Sequence, residues 1–163
     1  GLAASEAVEI TSYPFETWSL FDQSAFGYGL SRPAGAGMRI AHNQLLAIRT
    51  EDASGFTVGM VRWIALSETD ELSIGLRMLP GLPKGGAMRA VGLSPTGNNN
   101  CVPALLLPSM AALRTTESLL VPIGWFKQGR IVELFIGDQG KRLRFETLME
   151  RGPDFERLSI SWV

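Results

Sequence analysis

Apolar and polar side chains alternate over short distances along most of this chain, and the pattern predicts strands rather than helices. Leu72, Ile74, Leu76 and Met78 alternate with Ser73, Gly75, Arg77 and Leu79 in a clear period of two, the mark of a strand with two unlike faces. Phe56 to Ile64 alternates more loosely, with Phe56, Val58, Met60 and Arg62 on one face and Thr57, Val61 and Trp63 on the other. Apolar groups on both faces are expected where a strand curves round a small barrel, and Gly59 suits a bend or bulge within it. Trp18 to Phe21, Ala25 to Leu30, Leu45 to Arg49 and Met88 to Val91 supply four further short runs. The first half of the chain thus reads as six strands.

The strongest break is Ser94-Pro95-Thr96-Gly97-Asn98-Asn99-Asn100, a run of turn formers with no apolar anchor. It divides the chain into a barrel over residues 1–93, a linker over 94–100 and a second β-rich unit over 101–163. In that second unit Ala104 to Leu107, Leu119 to Val121, Arg130 to Ile136, Lys141 to Met149 and Glu156 to Trp162 read as five strands. Leu143, Phe145 and Thr147 alternate with Arg142, Arg144 and Glu146, so the fourth of these has one wet face, and Gly137-Asp138-Gln139-Gly140 before it is a hairpin turn. Ser109 to Thr116 alone suggests a short helix. The fold class is mainly β.

Composition narrows the function. The 163 residues are 45% hydrophobic and 19% charged, the profile of a globular chain long enough to bury a core. A net charge of −1 gives no general attraction for nucleic acid or anionic lipid. Residues 1–82 carry five Lys/Arg against nine Asp/Glu, and residues 83–163 ten against seven; the second half is modestly basic, as a solvated face is. No apolar run approaches the ~20 residues of a membrane-spanning helix, and the single cysteine, Cys101, excludes an internal disulfide and agrees with a reducing, cytoplasmic setting.

The residues of hydrolytic and metal chemistry are scarce. His42 is the only histidine and stands in the polar run Ala41-His42-Asn43-Gln44. Cys101 has no histidine or carboxylate at a catalytic spacing, so neither a nucleophile–base pair nor a Cys/His zinc site can be assembled. Gly27-Tyr28-Gly29 runs into Arg32 and Gly35-Ala36-Gly37 opens no helix pattern, so neither is a dinucleotide loop. No catalytic, metal or cofactor residue is expected, and the chain does not read as an enzyme.

One polar turn remains. In Asp22-Gln23-Ser24-Ala25-Phe26-Gly27 an acid, a hydroxyl and a glycine are set compactly before a strand, offering an acceptor, a donor and room for close approach. It is followed in order by Gly59-x-Val61-x-Trp63 and by Ile74-Gly75-Leu76. With this series residues 12–82 resemble a PilZ domain, a small six-stranded β-barrel that in many bacterial proteins binds the second messenger cyclic di-GMP. The resemblance implies that Asp22 accepts from a guanine edge, that Ser24 bonds polar atoms of the ligand, and that Gly27 keeps the turn compact. Residues 101–163 resemble no named family.

The family also grips its ligand with an Arg-x-x-x-Arg segment ahead of the barrel, whose planar forks pair with phosphate and stack on guanine. Here no Lys or Arg precedes Arg32, and Glu6, Glu9 and Glu16 occupy the N-terminal segment. Either the arginines precede Gly1 in a longer protein, or the barrel has lost nucleotide binding and acts through protein contacts. Arg32 and Arg62 are the cations placed to substitute, with surface ion pairing as their alternative role. The expected function is a bacterial PilZ-like signalling module, with cyclic di-GMP bound by the parent protein and the signal relayed through protein contacts. A protein-interaction module without nucleotide is the alternative. An oligonucleotide-binding barrel comes next, although only Trp125-Phe126-Lys127 with Arg130 approaches the required aromatic and basic face. The tryptophans, Trp63 included, are expected in the core or at a barrel rim.

Overall fold

The computed structural model describes residues 15–92 and 100–163. They form eleven strands and one short helical turn. Strands β1 (Ser19–Gln23), β2 (Gly27–Pro33), β3 (Leu45–Ile48), β4 (Thr57–Leu66) and β5 (Glu71–Met78) make an open antiparallel sheet in the order β1-β2-β5-β4-β3. Strands β6 (Lys84–Ala90), β7 (Val102–Leu107), β8 (Ser118–Val121), β9 (Ile131–Ile136), β10 (Gln139–Arg151) and β11 (Glu156–Trp162) close into a six-stranded barrel in the order β10-β11-β8-β7-β6-β9.

The seam between the two units lies before β6. Met88 to Val91 read as the sixth strand of the first unit, but Lys84–Ala90 pairs with β7 on one side and β9 on the other. The closed six-stranded barrel is therefore the second unit, and the first is a five-stranded sheet. Hydrogen bonding explains the exchange: a closed barrel leaves no edge, and β6 is the strand that closes this one. The expected linker 94–100 lies, apart from Asn100, outside the described residues. The helix expected over Ser109 to Thr116 is a single 3-10 turn, Ala111–Leu113, ended by Arg114 in a left-handed conformation at φ 51°.

The barrel core is fully sequestered: Met88, Leu119, Val132, Leu143, Phe145 and Leu158 are 0% exposed. Ala104 and Leu106 point inward from β7, and Leu119 and Val121 from β8. The intervening Leu107 and Leu120 face outward, yet they are buried, because with Phe155 they pack against Val58, Met60 and Leu79 of the first unit. That is why both runs are apolar without alternation: each is covered on both faces. Polar bonds cross the same boundary. The Leu45 N–H donates to Asp154 at 3.3 Å, and Arg77 ion-pairs with Glu150.

Glu156 is a buried acid at one end of the barrel. Burial pushes its carboxyl up, but the Phe126 N–H at 2.9 Å and the Arg151 guanidinium at 2.5 Å outweigh that and hold it below its ordinary value. Trp125 and Phe126 pack against the barrel core, and Arg130 lies over the Trp125 ring at 5.0 Å while donating to its carbonyl. That group is part of the barrel's packing.

Candidate functional site

The polar turn is the hairpin between β1 and β2. The Ser24 N–H donates to the Gly27 carbonyl at 3.0 Å, and the Phe26 N–H donates to the Ser24 hydroxyl at 3.3 Å. The hydroxyl thus stabilises its own turn and keeps a proton free to donate. Gly27 has no alternative there, because a Cβ would run into the Leu76 carbonyl of β5.

Two residues on, Gly29 of β2 stands directly opposite Gly75 of β5. This paired-glycine step is flanked on both sides by register shifts. On β1, Leu20 pairs with Leu30 but Asp22 pairs with Gly29, leaving Phe21 as the extra residue. On β4, Val61 pairs with Leu76 but Trp63 pairs with Gly75, leaving Arg62 as the extra residue. A one-residue slip sends every following side chain to the other face. Trp63 would otherwise share the face of Val61; the bulge turns it over Gly75, where an added Cβ would strike its indole. The Phe21 ring covers Gly29 in the same way, 2.7 Å from where a Cβ would stand. The two rings face each other across the glycine pair, centroids 6.4 Å apart and tilted by 50°. His42 braces the β4 bulge, its Nε2 donating to the Arg62 carbonyl at 2.8 Å.

The result is a shallow cavity of about 300 Å³ whose lining includes Asp22, Ser24 and Gly27 from the hairpin, Arg62 and Trp63 from the bulge, and Arg77 from β5. Four of the five residues expected at a binding site are together: Asp22, Ser24, Gly27 and Arg62. Arg32 is elsewhere. It is five residues beyond Gly27, an odd number, and so lies on the opposite face of the strand. There it is buried, its Nε 3.2 Å from Glu16, its guanidinium 4.6 Å from the Trp18 ring and 2.7 Å from the Met38 carbonyl. Glu16, expected to repel an anion, is thereby neutralised; Glu6 and Glu9 lie outside the described residues. The bend expected at Gly59 falls three residues later, at Arg62.

Sequence reasoning missed Gly29, Gly75 and Arg77 in the lining of this cavity and Phe21 over Gly29, and it placed Trp63 in the core or at a rim. Trp63 is 46% exposed and Phe21 55%; each ring has one side against a glycine and keeps part of its surface open to solvent.

Among family models, the description "Cyclic-di-GMP receptor FimW, middle PilZ domain" matches residues 3–82 and "FimW C-terminal beta-barrel domain" matches residues 87–163. The chain belongs to the FimW family. The two matches meet between residues 82 and 87, where the hydrogen-bonded seam also falls, so the FimW barrel domain begins within β6 and the PilZ match ends before it. The cavity lies wholly within the FimW PilZ match. Comparison with curated proteins and with solved structures gave no match.

A second open cavity, of about 420 Å³, is lined by Gly140, Lys141, Arg142, Trp162 and Val163 on the FimW barrel domain. It holds none of the motif residues. Among the described residues no group of three or more His, Cys, Asp or Glu side chains is placed to hold a metal ion, and no helix is long and apolar enough to cross a membrane.

Proposed function

We propose that the cavity beside the glycine pair is the sheet-borne part of a cyclic di-GMP site, and that this chain is a receptor module rather than an enzyme. Asp22 accepts from the N–H edge of a guanine, and Ser24 donates its free proton to a polar atom of the ligand. Trp63 and Phe21 offer π-faces on which a base stacks, an interaction worth ~1–3 kcal/mol per base. Arg62, exposed and with its backbone braced by His42, pairs with phosphate, for which a guanidinium fork is suited. Gly27 lets the hairpin lie close against Leu76 of β5, and Gly29 and Gly75 let the two rings lie against the strands. The signal passes from this surface to a protein partner.

The observation that carries the reading is the pair of bulges. Two independent register shifts, on β1 and on β4, occur at the same glycine step and bring the acid and the indole to one face. Calorimetric titration with cyclic di-GMP tests it. The protein is expected to bind, and Asp22→Ala to weaken binding at least tenfold, since a charge-assisted hydrogen bond is worth ~1.5–3 kcal/mol and a decade of affinity ~1.4. Absence of heat from the unaltered protein, or equal affinity in both, overturns the reading.

A further inference from the structure

Arg77 lines the cavity but is tethered outside it. It follows Gly75 by two residues on β5, pairs in register with Gly27, and so shares the face of the glycine pair. Its ion-pair partner is Glu150 of β10, in the barrel. Among the described residues this is the one ion pair that joins the two units. The contact uses a single guanidinium nitrogen, Nη2, so most of the N–H fork is uncommitted.

Glu150 does not depend on Arg77 alone. Its other oxygen lies 3.4 Å from Nη1 of Arg157, a buried side chain whose Nε donates to Ser118 Oγ at 3.0 Å. Removing one partner of a shielded pair is costly when it strands a charge; here Arg157 remains to hold the carboxylate. The pair is also reachable, with Arg77 35% and Glu150 26% exposed. A phosphate seated beside Gly27 would therefore compete with Glu150 for one guanidinium, and the carboxylate would keep its second.

We propose that Arg77 is an anion-binding residue of the cavity held in reserve by Glu150, so that ligand binding and the sheet–barrel ion pair are mutually exclusive. The inference rests on the cavity being the cyclic di-GMP site, and it adds a second phosphate-pairing guanidinium beside Arg62. Coupling follows from exclusion: an anion that takes Arg77 frees Glu150 of β10 from this ion pair, and whatever holds Glu150 away strengthens binding by the same factor.

The test is titration of the full chain with cyclic di-GMP in four forms: unaltered, Glu150→Gln, Arg77→Gln and the double variant, with circular dichroism to confirm folding. Glu150→Gln frees the fork and is expected to bind several-fold more tightly. Arg77→Gln is expected to bind about tenfold to a hundredfold more weakly. In the double variant the gain from Glu150→Gln should vanish. Hydrogen exchange of residues 148–152 should accelerate on ligand addition in the unaltered protein and not in Arg77→Gln. Should Glu150→Gln lose its fold, Arg77→Lys and the exchange experiment decide alone: weaker binding and unchanged exchange support the proposal. Unaltered binding that Asp22→Ala weakens but that changes at Glu150 and Arg77 leave untouched overturns the latch while the site stands. No binding in either the unaltered or the Glu150→Gln form overturns both.

Discussion

The two halves of this molecule solve the edge problem of a β-sheet in opposite ways, and the difference shows where function sits. The barrel closes on itself through six antiparallel strands, has no free edge, and fills its interior with side chains sealed from water. The first sheet stays open. Its own inner cluster has three buried members, Val61, Ile74 and Leu76, and it draws further burial from the outer face of the barrel through Val58, Met60 and Leu79. The interior of the closed barrel is filled by its own side chains, and the open cavity on its surface beside Trp162 holds none of the motif residues. The open sheet carries the cavity that gathers Asp22, Ser24, Gly27 and Arg62, and it draws part of its stability from the barrel.

That division predicts a separation of effects. The largest is in the barrel: Phe145→Ala, at a fully buried position, should cost about 3–5 kcal/mol of stability, read as a shift in the urea midpoint. The folded fraction should keep its affinity for cyclic di-GMP. Equal loss of affinity in the folded fraction would mean that the barrel contributes to the site directly.

The two faces of the first sheet should separate next. Arg32→Ala removes the partner of Glu16 and of the Met38 carbonyl and should destabilise by about 1–3 kcal/mol, with affinity unchanged. Trp63→Ala removes a half-exposed ring and should do the reverse, leaving stability nearly intact while weakening binding by roughly tenfold, from the ~1–3 kcal/mol of a base–aromatic stack. Thermal melts and calorimetry on the same two variants read both quantities, and exchanged outcomes would reverse the assignment of the faces.

The smallest expected effect is a pH dependence belonging to the barrel. The Glu156 carboxyl is held below its ordinary value of 4.5. Its stabilising contribution is therefore complete above that value and is lost as pH falls through the lower value it has in the folded protein. Melting temperature should drop in that acid window, and Glu156→Gln should flatten the drop. A variant that tracks the parent below pH 4.5 would remove Glu156 as the cause.

Much of the fold was legible in the sequence because strand periodicity is local. The period of two over Leu72 to Met78, the turn formers at Gly137 to Gly140 and the apolar runs at Ala104 to Leu107 and Leu119 to Val121 each announce themselves within a few residues. Partnership is not local. Nothing around Lys84–Ala90 says that its neighbours are Val102–Leu107 and Ile131–Ile136 rather than the preceding strands.

The site was legible to the same extent. The Asp22–Gly27 turn and its two following motifs are local signals, and the family match over residues 3–82 agrees with them. The bulges at Phe21 and Arg62 are set by pairing, and they decide which face Trp63 meets. Counting parity along β2 separates Arg32 from Gly27 without any structure, a signal that was available. Parity along β5 likewise puts Arg77 on the face of Gly75, but its ion pair had no such signal, since the partner is Glu150 of β10, 73 residues away.

The most direct measurement is a backbone amide NMR titration of this chain with cyclic di-GMP. Shifts are expected to concentrate at residues 22–29, 62–63 and 75–77, with a weaker set near Glu150. Shifts confined to Lys141, Arg142 and Trp162, around the barrel's own cavity, or spread without relation to the glycine pair, would contradict that placement of the site.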